Sequence, residues 1–346
     1  MNNLVCSISF MKYSLIFMVL CLVGCSSVGP QHFRLKTNHN VASIGDTVYY
    51  EIVNPKSHSI ENLKYTVNGK SIADDYLVIS NLGKHLLSAT FSSGDKNINL
   101  EQNIDVFADE APQVYTYELV ATYPHDPNAY TQGLEFHNGF LYESTGQYGA
   151  STLRKTDFTT GKVLNELKLD ASYFGEGLSF YNDQLVQLTW KENIGFVYNP
   201  DDFTLERSFQ YNKSKEGWGL CSDDVHLYKT DGTEKLWTLD PQTFEEKGFV
   251  EILTNNKYIS KVNELEYVNG LVYANTYQFN KEVVVIIDPQ SGIVKGVVDF
   301  SGLKEKVTKH ARLDVFNGIA YHPKRKTFFV TGKYWDKLFE VKILKK

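Results

Sequence analysis

Cysteine is scarce in this sequence, with four in 346 residues. Two of the four, Cys6 and Cys21, fall in an N-terminal stretch that reads as a removable export signal. That leaves Cys25, at the end of the signal, and Cys221, so an internal disulfide framework is excluded and stability must come from packing. Cys221 lies in an apolar run and is expected as a small buried residue. Charge of one sign is equally lacking. The 35 basic and 41 acidic residues give a net charge of -6 with no block of like charges, so nothing attracts a phosphate backbone and nucleic acid is not a partner. His310 and His322 have no serine or cysteine at a recognisable spacing, which argues against a nucleophilic triad.

A hydrophobic content of 42% with 22% charged residues is that of a soluble globular chain long enough for more than one core. The apolar run from Tyr13 to Leu22 follows Lys12, is short for a bilayer, and ends in small residues. Residues 1–25 are therefore expected to be a lipoprotein signal peptide. Leu22-Val23-Gly24-Cys25 resembles the bacterial lipobox, which implies lipidation of Cys25, a membrane anchor, and a place in the periplasm or cell envelope. The ten residues before Met11 carry no positive charge, so Met11 is an alternative start. The polar stretch 26–40 is expected as a flexible tether.

From 41 to 111 the sequence alternates in short runs, Thr47 to Val53, Leu63 to Val67, His85 to Phe91 and Ile98 to Phe107, with an Asn68-Gly69 hairpin turn. This pattern predicts a small β-sandwich of immunoglobulin-like type. It carries no site-like cluster of His, Cys or carboxylates. Ala108-Asp-Glu-Ala-Pro112 marks the boundary.

Residues 115–346 repeat. Aligning Gly133-Leu134, Gly177-Leu178, Gly219-Leu220, Glu264-Leu265 and Gly318-Ile319 puts the apolar anchors 44, 42, 45 and 54 residues apart. Each anchor is followed by a second strand, and each of the first four also by a third strand ending in a turn such as Asn199-Pro200 or Asp240-Pro241 and by a fourth. The fold class expected is all-β: a five-bladed β-propeller preceded by the small sandwich. The last unit runs out of chain after three strands, so Tyr115 to Thr122 is expected to supply its fourth and close the ring.

In such a ring the first strand of each unit lines the axis. The position two before each anchor reads Gln132, Glu176, Trp218, Asn263 and Asn317, where a packed core would favour Val or Ile. The second strands return to the same rim, at Gly146, Trp190, Gly232, Tyr277 and Lys333. Two rings of side chains thus meet at one mouth and predict a small-ligand pocket. Glu176 and Lys333 stand out, because a buried charge costs several kcal/mol unless it is paired or used.

At these residues the chain resembles the plant-type glutaminyl-peptide cyclotransferases, also called glutamine cyclotransferases. The resemblance runs from about Val120 to Ile343 and rests on Tyr130-Thr-Gln-Gly-Leu134, Phe174-Gly-Glu-Gly-Leu178, Gly217-Trp-Gly-Leu220, Val262-Asn-Glu-Leu-Glu266, Asn317-Gly-Ile-Ala320 and Thr331-Gly-Lys333. No family motif is found in the N-terminal sandwich. The resemblance implies an enzyme that needs no cofactor and no catalytic metal. It would convert the N-terminal glutamine of peptides or proteins to pyroglutamate with loss of ammonia. By motif position Glu176 matches the family's acid/base, Asn263, Lys333 and Gln132 its polar substrate contacts, and Phe174, Trp190 and Trp218 its aromatic walls. Tyr130 stands where the family often has Phe, and Tyr277 where it usually has Trp.

The residue types suit that chemistry on their own account. A carboxylate can hold the substrate's α-ammonium, take its proton and pass it to the departing nitrogen, and Glu176 is the one acid in the two rings. Lys333 and the Asn263 amide are donors suited to the oxyanion. Two rivals remain at this point. Glu176, Asn263 and Asn317 could imitate the calcium ligands of a propeller hydrolase, although Lys333 beside them would oppose a cation. The same aromatic mouth also fits a non-catalytic lipoprotein that binds peptides or glycans.

Overall fold

The computed structural model describes residues 28–223 and 225–346. The expected signal peptide, Met11 and Cys25 lie outside the described residues. Among those described the fold is all-β, with two short 3-10 turns, Pro30–His32 and Lys304–Lys306, and no α-helix.

The N-terminal unit packs a five-stranded sheet against a three-stranded one. Gly83–Ser93 and Lys96–Val106 form a long hairpin in which alternate residues, Leu87, Ala89 and Phe91 on one strand and Ile98, Ile104 and Val106 on the other, turn inward. The Asn68-Gly69 turn has φ of 50° and 77° at its two residues and joins Glu61–Val67 to Lys70–Ile72, the backbone that a two-residue hairpin needs. The stretch expected as a tether differs. Arg34–Thr37 is a strand paired with Thr47–Val53, and Phe33 and Leu35 are buried. Two apolar residues two apart are enough to dock a short strand once a partner edge is present, and that edge lies beyond the reach of a local reading.

The rest of the chain is a series of antiparallel sheets. Thr131–His137, Phe140–Thr145, Thr152–Asp157 and Lys162–Lys168 form the first. Gly175–Tyr181, Gln184–Thr189, Ile194–Tyr198 and Leu205–Gln210 form the second, and Leu220–Ser222, Leu227–Lys229, Lys235–Leu239 and Glu246–Glu251 the third. Val262–Val268 through Val294–Asp299 and then Phe316–His322, Thr327–Gly332 and Lys337–Lys345 belong to one eight-stranded sheet. Gln113–Pro124 sits between these halves. It pairs antiparallel with the C-terminal strand from Tyr115↔Lys345 to Pro124↔Lys337, and parallel with Gly296–Val298 at its start. The two ends of this unit are thereby zipped together.

The first strands of successive sheets touch in sequence, and Phe316–His322 returns to Thr131–His137, so the circuit closes. Hydrophobic cores fill the wedges between neighbours, as where Leu188 and Val197 meet Leu220 and Leu239. Near the axis, buried carboxylates join the sheets through backbone N–H groups. Glu264 accepts from Leu134 N at 3.2 Å and Ile319 N at 2.8 Å, and Glu266 accepts from Tyr321 N at 3.1 Å. The N-terminal unit leans on this ring through Tyr258, whose hydroxyl donates to Asp105 at 3.1 Å and whose ring lies 5.1 Å from Phe107.

Candidate active site

Four of the inner strands begin with a register shift, between Thr131 and Gly133, Gly175 and Leu178, Val262 and Leu265, and Phe316 and Ile319. A bulge re-aims a side chain out of the regular pleat. The residues inside these four shifts include Gln132, Glu176, Asn263 and Asn317. Trp218 precedes its strand and is fixed by Trp218 N donating to Thr230 O at 3.0 Å. The ends of the second strands are pinned to the same rim. Gly146 N donates to Tyr130 O at 2.8 Å, Trp190 N to Phe174 O at 3.0 Å, Tyr277 N to Lys261 O at 2.8 Å and Lys333 N to Val315 O at 2.9 Å.

The two sets of side chains enclose a cavity of ≈ 310 Å³ lined by Tyr130, Gln132, Gln147, Phe174, Glu176, Trp190, Trp218, Asn263, Tyr277 and Lys333. Asn317 is the exception among the residues singled out. It is fully buried behind Gln132, with Nδ2 donating to Thr131 O at 3.0 Å and reaching Gln132 Oε1 at 3.5 Å. Its bulge turns it toward the neighbouring strand, so it positions Gln132 and does not face the cavity.

Glu176 is 3% exposed. Gln132 Nε2 donates to its Oε1 at 2.8 Å, while its Oε2 is buried without a hydrogen-bond partner. Burial pushes this carboxyl well above the usual carboxylate range. Lys333 opposes the shift, and the nearby Glu216 and Glu192 carboxylates reinforce it. Asn263 Oδ1 is likewise buried and unpartnered. Lys333 is 2% exposed, and its ammonium packs 4.4 Å from the Tyr130 ring centroid and 5.1 Å from that of Tyr277. Burial pushes it down to about 8, against the pull of Glu176 and Asp314. The cavity therefore pairs a reluctant carboxylate with a reluctant ammonium and leaves two acceptor oxygens open.

The aromatic walls depend on residues that side-chain chemistry alone does not flag. A Cβ on Gly146 would lie 2.2 Å from Phe174 Cε1, and one on Gly232, at φ +79°, would lie 2.6 Å from the Trp218 ring. The two rim glycines are thus the space into which the walls fit. Glu216 was not picked out from the sequence, yet its Oε2 accepts from both Trp190 Nε1 and Trp218 Nε1 at 2.8 Å each. Its own carbonyl is held at 2.9 Å by Lys229 Nζ, which is buried in an ion pair with Glu246 at 2.9 Å. Gln147, also missed, lines the cavity just after Gly146 and has φ 115°. Glu216 sits directly before the Gly217-Trp-Gly-Leu220 motif, which is the signal that would have found it.

The segment 304–312, which falls within the long 54-residue spacing before the last anchor, reaches the mouth: His310 Nε2 lies 2.8 Å from Tyr334 O, and Arg312 packs over the Tyr334 ring, itself 5.1 Å from Tyr130. Cys221 is 2% exposed within a hydrophobic cluster, as expected of a packing residue.

The chain matches the glutamine cyclotransferase family model over residues 87–343, a span that opens inside the N-terminal unit and ahead of the motifs near Val120. It is 40% identical over 238 residues to a glutaminyl-peptide cyclotransferase of Arabidopsis thaliana, covering 68% of this chain and 73% of that protein. It is also similar to the crystal structure of Myxococcus xanthus glutaminyl cyclase, with a TM-score of 0.62 and 36% identity over 67% of this chain and 98% of that one.

Proposed function

Because the chain belongs to the glutamine cyclotransferase family, we propose that its glutaminyl-peptide cyclotransferase activity runs in the axial cavity, with Glu176 as the proton shuttle and Lys333 and Asn263 as partners of the reacting amide. The observation that carries this assignment is the open oxygen. A carboxylate oxygen buried without a donor is rare, and Glu176 Oε2 and Asn263 Oδ1 are both buried without a partner in residues that line a cavity large enough for a glutaminyl residue. The substrate's α-ammonium supplies the missing N–H groups.

An α-amine has a pKa near 8, and burial raises the Glu176 carboxyl well above the usual carboxylate range, which makes it a stronger base toward the substrate's ammonium. Glu176 takes a proton from the ammonium, and the freed amine attacks the γ-carboxamide carbon. The carbonyl oxygen gains charge as the C–N bond forms, and the Lys333 ammonium stabilises it. Glu176 gives the first proton to the departing nitrogen, takes the second from the attacking nitrogen, and then releases it to solvent, which restores the carboxylate. The old C–N bond breaks, and ammonia and the five-membered lactam leave. Gln132 fixes the rotation of Glu176 by its 2.8 Å hydrogen bond. Phe174, Trp190, Trp218, Tyr130 and Tyr277 fold the substrate side chain back on its own amine, a conformational contribution that matters because attack is intramolecular.

The same reading takes the closed circuit of sheets as a five-bladed propeller, the eight-stranded sheet being two blades joined through Gln113–Pro124, and the N-terminal unit as an immunoglobulin-like sandwich. It takes Cys25 as the lipid anchor of an exported envelope protein. Incubating the purified protein with a Gln-initiated dipeptide and a Glu-initiated control tests the activity: ammonia release from the first alone is expected, and none from either would overturn it. Cys25→Ser is expected to move the protein from the membrane to the soluble fraction, and unchanged membrane retention would refute the anchor.

A further inference from the structure

Trp218 is a wall of two cavities. One is the catalytic pocket; the other, of ≈ 450 Å³, opens at the same rim beside Gly232 and runs outward over the third sheet. Its floor includes Trp237, whose Nε1 donates to Asp231 at 2.8 Å. Lys213, Lys215 and Lys235 line it.

The charges in this groove are sorted by direction. Its two carboxylates are engaged by the wall: Glu216 holds both indoles, and Asp231, 8% exposed, accepts from Trp237 and from Thr233 N at 3.0 Å. The lysines are committed more loosely. Lys213 Nζ donates to Lys247 O at 3.1 Å, Lys235 Nζ lies 4.4 Å from the Phe249 ring, and Lys215 is exposed. Across the mouth charges of both signs meet, where Tyr148 donates to Glu192 at 2.8 Å and Lys191 Nζ lies 3.7 Å from the Trp190 ring. A peptide whose first residue is held at the axis must leave over this rim, and the cationic exit lies across Trp218.

We propose that the groove beyond Trp218 receives the residues that follow the N-terminal glutamine, and that its lysines favour peptides carrying carboxylates there. The proposal rests on the cyclotransferase reading of the axial cavity. Exposed charge contacts are individually weak and screened by salt, so the selection is a modest ratio that fades as ionic strength rises.

The test compares kcat/KM for three amidated peptides, Gln-Glu-Glu, Gln-Ala-Ala and Gln-Lys-Lys, on the wild-type protein and on the Lys215→Glu/Lys235→Glu double variant. The acidic peptide is expected to exceed the basic one by about three- to ten-fold at low salt, with the ratio falling toward one by about 0.5 M salt and inverting in the double variant. The readout is a ratio on one preparation, so partial loss of folded protein cancels. Equal kcat/KM on all three peptides, or a preference that the double variant leaves intact, overturns the groove while the cyclisation stands. No turnover of any peptide overturns the reading on which both rest.

Discussion

Gln132 Nε2 donates to Glu176 Oε1 across 2.8 Å, joining side chains 44 residues apart in sequence and leaving the second carboxylate oxygen buried and open. A group held in this way has one oxygen committed to the protein and, under the proposed mechanism, one for the substrate. Glu176→Gln is therefore expected to lower kcat by about 10²- to 10⁴-fold, since it removes the proton shuttle and keeps the shape. Its stability is expected to move the other way. Glu176 titrates above its unfolded value near 4.5, so the cost of burying it is absent below that value and grows as pH rises through the folded one. Thermal melts should converge toward about pH 4 and show the variant melting higher at about pH 8; a variant that is less stable at the higher pH would contradict the assignment.

Lys333 gives the alkaline side of the activity profile. Its ammonium is held at about 8 by burial, and a donor that must be charged loses function as pH rises through its value. kcat/KM should fall with a limb near that value. Lys333→Arg keeps a charge that does not titrate, so its limb should move above about pH 10, whatever its absolute rate. Lys333→Met should lose about 10²- to 10³-fold in kcat. A limb that stays near 8 in the arginine variant would assign it to another group.

Glu216 separates positioning from chemistry. Glu216→Ala frees both indoles, and KM is expected to rise about ten-fold with a smaller change in kcat. Glu216→Gln keeps an oxygen able to accept from both Trp190 and Trp218, so it should restore KM. Steady-state kinetics on a Gln-dipeptide decides between this clamp and a merely structural role, in which both variants would behave alike.

Gly146→Ala tests the space under Phe174. With a Cβ 2.2 Å from that ring, either the wall moves or the strand does. KM should rise and the protein should lose about 1–3 kcal/mol, read by melting and by titration with substrate. Unchanged KM would mean that Phe174 is not a wall of the working site.

Chelation should leave turnover intact. Among the described residues no three His, Cys, Asp or Glu side chains are grouped to hold a metal, and Lys333 lines the same cavity as Glu176 and Asn263, where its charge would oppose a cation. Loss of activity in EDTA, restored by calcium, would revive the hydrolase alternative.

The sequence by itself determined the all-β class, the repeat, the Asn68-Gly69 turn and seven of the cavity's lining residues, Gln132, Glu176, Trp190, Trp218, Asn263, Tyr277 and Lys333. These follow from period-two alternation and from spacing, both of which are written along the chain. It located Gln132, Glu176, Asn263 and Lys333 because a repeat converts linear position into angular position around an axis. Only the tertiary structure decided the rest. Asn317 holds the same repeat position as Glu176, but its bulge turns it onto Thr131 and Gln132, and nothing local distinguishes the two. Glu216 gains its meaning from two indoles, one of them 26 residues away, and Arg34–Thr37 becomes a strand because Thr47–Val53 offers an edge. Rotation at a bulge, a shared acceptor and an available edge are all set by neighbours distant in sequence, and the physics that fixes them is packing, which no window along the chain contains.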